Sequence, residues 1–316
     1  MMDAVIVCQQ LKKSFAGREV LRGLDFIVPR GAITALLGDN GTGKSTTFRI
    51  LTGQIPADAG QATLLGEDCW KAAASLRRRV GYCPERPRFY DWMSVAEIGA
   101  FSAAFHAVGY KARYNALLER FDLSPTAKLA SLSKGGYAKV SLALALASDP
   151  EVLLLDEPTS GLDLFTRREF LRSMAAQAGE GKTILISSHS VAEVERVVSH
   201  IVFLAQGKTL LAGSLEELRG RLRRVRVQHQ GTDFVPEMLG EVLQAETSGR
   251  DWQGIILDGS ESALETLRYQ PGIHAVETSY PTLEEMYTAV LARYHRRGQA
   301  VADAATTTTT AEGVKR

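Results

Sequence analysis

The sequence predicts an α/β fold with a mostly parallel sheet, followed by a small α+β unit. Three observations carry this. Gly38-Asp39-Asn40-Gly41-Thr42-Gly43-Lys44-Ser45-Thr46 lies between an apolar run, Ala32–Leu37, and a helical stretch, Thr47–Leu51. Val152–Leu155 is unbroken apolar sequence ending in Asp156-Glu157, which is how a strand covered on both faces by helices reads. Around these, strand-like and helix-like segments alternate.

Taken in order, Ala4–Val7, Glu19–Leu21 and Leu24–Val28 read as strands, and Pro29-Arg30-Gly31 turns the chain into Ala32–Leu37. Lys12–Gly17 reads as a polar turn between the first two strands. Phe15 within it is either a core-edge residue or a platform on which a nucleotide base stacks, an interaction worth roughly 1–3 kcal/mol. Beyond the glycine loop, Asp58–Leu65 reads as a strand, Trp70–Arg79 as a helix, and Val80–Cys83 as a strand running into Glu85-Arg86-Pro87-Arg88. Ser94 to Phe121 is helical in pattern: Val95, Ile98, Phe101, Phe105 and Val108 recur at three to four residues. Ser94 with Glu97 forms a capping box at its start.

Leu132-Ser133-Lys134-Gly135-Gly136 opens a further helix through Leu146. Leu164–Ala178 and Ser190–Val198 are expected as helices, Thr183–Ile186 as a strand, and His200–Ala205 with Lys208–Leu211 as a hairpin around Gly207. From Ser214 the texture changes. A basic run (Arg219, Arg221, Arg223, Arg224, Arg226) precedes weaker strand–helix alternation: Gly254–Leu257, Ser260–Leu267, Ala275–Thr278 and Leu283–Arg296. The expected domains are residues 1–213, with a helical subdomain at about 90–150, and 214–297. A threonine-rich, low-complexity tail at 298–316 is expected to be disordered.

Composition narrows the function. Lys and Arg number 37 against 36 Asp and Glu, a formal net charge of +1, which leaves no electrostatic footprint for a nucleic-acid backbone. Cys8, Cys69 and Cys83 are scattered without metal-ligand spacing and fit a reducing compartment. No stretch approaches the ~18 apolar residues of a membrane span, and no export signal is visible at the start. A cytosolic chain is expected.

The chemistry sits in two places. In Gly38–Ser45, glycines let successive backbone N–H groups converge on one anion, and the positive end of the following helix faces the same point. Lys44 can reach the β- and γ-phosphates of a nucleoside triphosphate, and the Ser45 hydroxyl can take a Mg²⁺ coordination place. At the end of Val152–Leu155, Asp156 can hold the metal and Glu157 can take a proton from an attacking water.

Together these residues resemble the ATP-binding subunits of ABC transporters. Gly38 to Ser45 resembles Walker A, Val152 to Asp156 Walker B, and Glu157 the adjoining catalytic glutamate. Leu132 to Gly136 resembles the LSGGQ signature, Ser160-Gly161-Leu162-Asp163 the D-loop, and His189 the switch histidine. The resemblance covers about Ala4 to Gly213. It implies a P-loop NTPase core of the ABC type: a RecA-like parallel sheet, an antiparallel β subdomain and a helical subdomain. It also implies ATP and Mg²⁺ as ligands, with Phe15, Asp39, Asn40, Gly41, Thr42, Gly43 and Thr46 around the nucleotide.

By the same resemblance, two copies, or this chain and a sister subunit, face head to tail. Ser133 and Gly135 of one contact the γ-phosphate held by the other, and Asp163 carries contacts between the two sites. The implied partner is a transmembrane permease on a separate chain, with this subunit peripheral on the cytoplasmic side of the membrane and no direct nucleic-acid contact. Two departures stand out. Lys134 replaces a glycine of the signature, and Glu85 takes the place of the glutamine that reaches toward Mg²⁺ or water. Both resemble variants in exporters, and the segment Phe89, Tyr90, Trp92 and Met93 is the expected docking surface. The alternatives are a soluble ABC ATPase acting on ribosomes or DNA, or a subunit of weak hydrolysis paired with an active sister.

Overall fold

Two twelve-residue strands, β1 (Ala4–Phe15) and β2 (Arg18–Pro29), form an antiparallel hairpin around Ala16-Gly17. Those two residues have φ of 47° and 82°, the positive values that a tight two-residue hairpin turn demands. Lys12–Phe15 therefore continue the first strand rather than forming a turn, and the two short segments expected in β2 are one strand. Register shifts interrupt the hairpin pairing between Ala4 and Ile6, between Cys8 and Lys12, and between Lys13 and Ser14. The computed structural model describes residues 3–230 and 239–296, and the tail at 298–316 lies outside them. The chain divides into two compact units between Ala212 and Gly213.

In the first unit, β3 (Ile33–Leu37) leads through the glycine loop into α1 (Lys44–Leu51). β4 (Ala59–Leu64) and β5 (Glu67–Asp68) complete a four-stranded sheet in the order β2-β1-β4-β5. The helix expected over Trp70–Arg79 is only a single turn, α2 (Ala73–Leu76). β6 (Val80–Cys83), β7 (Val152–Leu155), β8 (Thr183–Ser188), β9 (His200–Ala205) and β10 (Lys208–Ser214) join β3 in a second sheet, ordered β10-β9-β3-β8-β7-β6. The pairs β3–β8, β3–β9, β6–β7 and β7–β8 are all parallel. Every residue of β3, β7 and β8 is buried, as their continuous apolarity anticipates. One core joins the two sheets across α1, with Val5, Leu24, Phe48, Leu154, Leu185 and Val202 in contact.

The periodic stretch from Ser94 is two helices, α3 (Val95–Ala103) and α4 (Tyr110–Arg120), broken at Gly109 with φ 95°. The capping box forms as expected: Glu97 N donates to Ser94 Oγ and Ser94 N to Glu97 Oε2. With α5 (Lys134–Ala147) these helices enclose a separate core of Val95, Ile98, Tyr110, Tyr114, Leu118 and Val140. Phe101, Phe105 and Val108, which share the apolar period, point outward instead. Met93 belongs to this core and Phe89 stacks on Tyr137 at 4.9 Å, so of the four residues expected on a docking surface only Tyr90 and Trp92 are exposed.

A Cβ on Gly99 would lie 2.1 Å from the ring of Tyr114, whose hydroxyl donates to Val95 O. Gly99→Ala is expected to cost about 1–3 kcal/mol through overpacking of this core, read as a lower urea midpoint at unchanged m-value. The unit closes with α6 (Leu164–Gly179) and the single turn α7 (Val191–Val194), much shorter than the helix expected there.

The second unit begins with α8 (Leu215–Arg221) and carries a sheet of β11 (Leu222–His229), β12 (Glu241–Ser248), β13 (Asp251–Leu257) and β14 (Ile273–Ser279), ordered β12-β13-β11-β14. α9 (Glu261–Arg268) packs Leu264 and Leu267 against Val225, Val227, Trp252 and Ile256, and a last helix spans 283–296. Four arginines of the basic run have side-chain partners within this unit. Arg221 pairs with Asp258 and Arg224 with Glu285, both at 2.8 Å, Arg226 with Asp251 at 3.4 Å, and Arg223 lies over the Tyr280 ring.

Candidate nucleotide-binding site

The loop from Gly38 to Gly43 is built so that only glycine fits at its ends. A Cβ at Gly38 would sit 2.5 Å from Leu204 O and 2.8 Å from Thr42 Oγ1. Gly43 has φ 110°, and a Cβ there would meet Leu21 at 2.6 Å, so the β1–β2 hairpin presses directly on the loop. Thr42 Oγ1 donates to Asp39 O at 2.8 Å and fixes the curl, with Asn40 and Gly41 exposed at its tip. α1 follows with Lys44, Ser45 and Thr46, has no side-chain cap and no acidic residue in its first turn. Its N-terminal N–H groups thus face the loop's concavity without a carboxylate competing for them.

Lys44 is buried. Its Nζ donates to Gly38 O at 2.5 Å and Asp39 O at 3.2 Å, and lies 3.1 Å from Glu157 Oε1. Glu157 follows Asp156 at the end of β7 and adopts φ 47°, a left-handed backbone costing a non-glycine residue of order 1–3 kcal/mol. Several contacts hold it there. Its N–H donates to Ser187 Oγ at 2.8 Å, His189 Nδ1 stands 2.8 Å from Oε2, and Lys44 faces Oε1. Ser187 Oγ in turn donates to Asp156 Oδ1 at 2.7 Å. Burial, with the negative charges of Glu157 and Glu85 nearby, pushes the Asp156 carboxyl above the usual carboxylate range, against the pull of hydrogen bonds from Ser187 and Ser45.

Lys44, Ser45, Asp156, Glu157 and His189 therefore form one bonded group at the loop-bearing end of the parallel sheet. Of the other expected residues, Glu85 and Ser133 line a common cavity with Glu157. Ser133 caps α5, its Oγ accepting from Gly136 N at 3.1 Å. Gly135 packs so closely that a Cβ would lie 3.1 Å from Thr166. A cavity of about 510 Å³ is lined by Glu85, Ser133, Lys134, Glu157 and Gly161 among others. Glu85 is partly exposed and paired with Arg86 at 3.3 Å. Phe15 is 42% exposed at the end of β1, with the Lys13 ammonium 5.6 Å from its ring centre.

The Asp163 carboxylate caps α6, accepting from the N–H groups of Phe165 and Thr166 at 3.0 Å and from Thr166 Oγ1 at 2.7 Å. Those bonds, the Thr166 N–H first, hold its carboxyl below the usual carboxylate range. Ser187 belongs to no motif. Its only signal is a polar residue just past the apolar run Thr183–Ile186.

The ABC transporter family pattern matches residues 21–160. An uncharacterized ABC transporter ATP-binding protein of Synechocystis sp. is 34% identical over 281 residues, covering 85% of this chain and 77% of that protein. The chain belongs to the ATP-binding subunits of ABC transporters. As an ABC ATPase subunit, it binds and hydrolyses ATP through the P-loop fold described above. The Nod factor export ATP-binding protein I of Paraburkholderia xenovorans is 37% identical over 222 residues, covering 68% of this chain and 72% of that one. The daunorubicin resistance ATP-binding protein DrrA3 of Streptomyces coeruleorubidus is 28% identical over 307 residues, covering 91% and 96%. A solved ATP-binding subunit of an ABC transporter superposes with a TM-score of 0.63 at 30% identity, over 68% of this chain and 92% of its own. Among the described residues, no helix of this ABC subunit is long and apolar enough to cross a membrane.

Proposed function

We propose that this subunit is the motor of an exporter, closing with a second ATPase subunit around Mg²⁺-ATP and driving a separate permease from the cytoplasmic side of the membrane. The observation that carries the reading is the bonded group of Lys44, Glu157 and His189, which joins the buried lysine of the glycine loop, a buried carboxylate and a half-exposed histidine. In this scheme Lys44 exchanges Glu157 for the β- and γ-phosphate oxygens. Glu157, freed on Oε1, accepts the proton of the attacking water. His189 keeps the carboxylate oriented through Oε2 and reaches the γ-phosphate from the side. Ser133 and the Gly135 backbone, at the positive end of α5, meet that phosphate from the opposing subunit. Asp163 is occupied in capping, so it would link the two sites through the position of its loop rather than through a free carboxylate.

The donors suit Mg²⁺, which binds through one or two carboxylates, substrate phosphates and water. The Ser45 hydroxyl and the buried Asp156 carboxylate already lie within hydrogen-bonding reach of each other, with Glu85 nearby. Bound there, the metal would neutralise charge on the β- and γ-phosphates. Export is supported by the relatives named for Nod factor export and daunorubicin resistance.

The permease would dock on an aromatic ladder of the helical subdomain. Tyr90 lies 5.9 Å from both Trp92 and Phe101, and Phe101 lies 5.4 Å from Phe105, all four exposed. Exposed clustered aromatics are where interface energy concentrates, at 2 kcal/mol or more for a typical anchor (order of magnitude). Trp92→Ala is expected to leave ATP binding unchanged while capture of a multi-span membrane protein from solubilised membranes falls at least ~10-fold. Undiminished capture by this variant and by Phe101→Ala would remove the docking surface.

A further inference from the structure

Ser187 is fully buried at the end of β8, yet its hydroxyl reaches across to the neighbouring strand. Its single proton goes to Asp156 Oδ1 at 2.7 Å, and its oxygen accepts the N–H of Glu157 at 2.8 Å. With both bonds made, the rotor has one orientation, because a hydroxyl has one proton to give. The N–H that Ser187 Oγ accepts belongs to the one residue of the site with strained backbone, Glu157 at φ 47°, and such a conformation persists only where its surroundings over-determine it. The adjacent Ser188 does a different job: its Oγ donates to Ser190 O and accepts from Ser190 N, shaping the turn that carries His189. The exit of β8 thus grips Glu157 twice, by the backbone through Ser187 and by the carboxylate through His189.

We infer that Ser187 is a positioning residue for ATP hydrolysis: it locks the left-handed backbone of Glu157 and so sets the direction in which that carboxylate leaves β7. The inference rests on the reading of Glu157 as the group that takes the proton from water. Without the hydroxyl, the Glu157 N–H loses its acceptor and Asp156 Oδ1 a donor, in a space closed to solvent. The peptide can then rotate toward the ordinary negative-φ region, and the carboxylate swings with it. Misplacement of a reacting group by about 1 Å costs roughly 10²-fold in rate.

The test is a double-variant cycle on the full chain, with steady-state ATPase and nucleotide binding measured together. Ser187→Ala is expected to lower kcat by about 10- to 100-fold while KM for ATP moves less than ~3-fold. Ser187→Thr, which keeps the hydroxyl, should recover most of that loss. In the Glu157→Gln background the same Ser187→Ala change should lower the residual turnover by less than ~3-fold, because residues that act through one another are not additive. Should Ser187→Ala not fold, Ser187→Cys, of similar volume and a weaker acceptor, carries the same cycle. An equal fold-loss in both backgrounds, or parental kcat in Ser187→Ala when Glu157→Gln is impaired, would overturn the role of Ser187. Undiminished turnover in Glu157→Gln would instead overturn the underlying reading of Glu157.

Discussion

Replacing Glu157 with glutamine is expected to lower ATP turnover by ~10²–10⁴-fold, the usual contribution of a positioned general base, while ATP and Mg²⁺ still bind. The amide keeps the shape of the side chain and can keep a contact to His189, so the scaffold around it persists. It cannot accept the proton of water at the same cost. Lys44 loses a charged partner but retains its bonds to Gly38 O and Asp39 O, so the phosphate loop holds its curl. Turnover measured against nucleotide affinity in the same preparation separates the two effects. A variant that hydrolyses ATP at the parental rate would take the chemistry away from Glu157.

Much of this site was legible because its chemistry needs contiguous residues. Gly38 to Ser45 can be recognised without tertiary information, since cradling a phosphate needs those residue types at that contiguous spacing, even though the walls that exclude a Cβ at Gly38 and Gly43 are the distant Leu204 and Leu21. Asp156-Glu157 could be placed because an unbroken apolar strand runs into it. The capping box of Ser94 and Glu97 is likewise a local device. What escaped were features decided by distant partners. Phe101, Phe105 and Val108 continue the helical period of Val95 and Ile98, and nothing in spacing tells an inward aromatic from an outward one. The arginines from 221 to 226 look like a free basic run, yet Arg221, Arg224 and Arg226 pair with acids at 258, 285 and 251. Ser187 has no motif at all. It matters only because parallel pairing of β7 with β8 sets it beside the Asp156-Glu157 peptide.

Lys44→Met is expected to act twice, and the two effects separate by condition. In the nucleotide-free chain it strips a buried carboxylate of its ammonium, since Lys44 and Glu157 have side-chain exposures of 5% and 7%. Removing one partner of a buried pair costs about 3 kcal/mol or more, so the urea midpoint should fall. Adding Glu157→Gln should restore most of it, because the penalty lies in the stranded charge rather than in the lost attraction. ATP affinity should not recover. Charged hydrogen bonds to phosphate are worth about 1.5–3 kcal/mol each, so loss of Lys44 should weaken ATP binding by roughly 10²-fold in both the single and the double variant. A single variant as stable as the parent, or a double variant no more stable than the single, would show that the pair is not the buried contact described.

The most direct measurement of the mechanism is the mass of Glu157→Gln in solution, by light scattering or sedimentation, with Mg²⁺ and ATP and again with Mg²⁺ and ADP. If Ser133 and Gly135 of one chain complete the phosphate site of another, slow hydrolysis should leave the pair trapped: two chains with ATP and one with ADP, and one chain again when Ser133 is replaced by arginine. A single-chain mass under every nucleotide condition, with ATP demonstrably bound, would contradict the shared site.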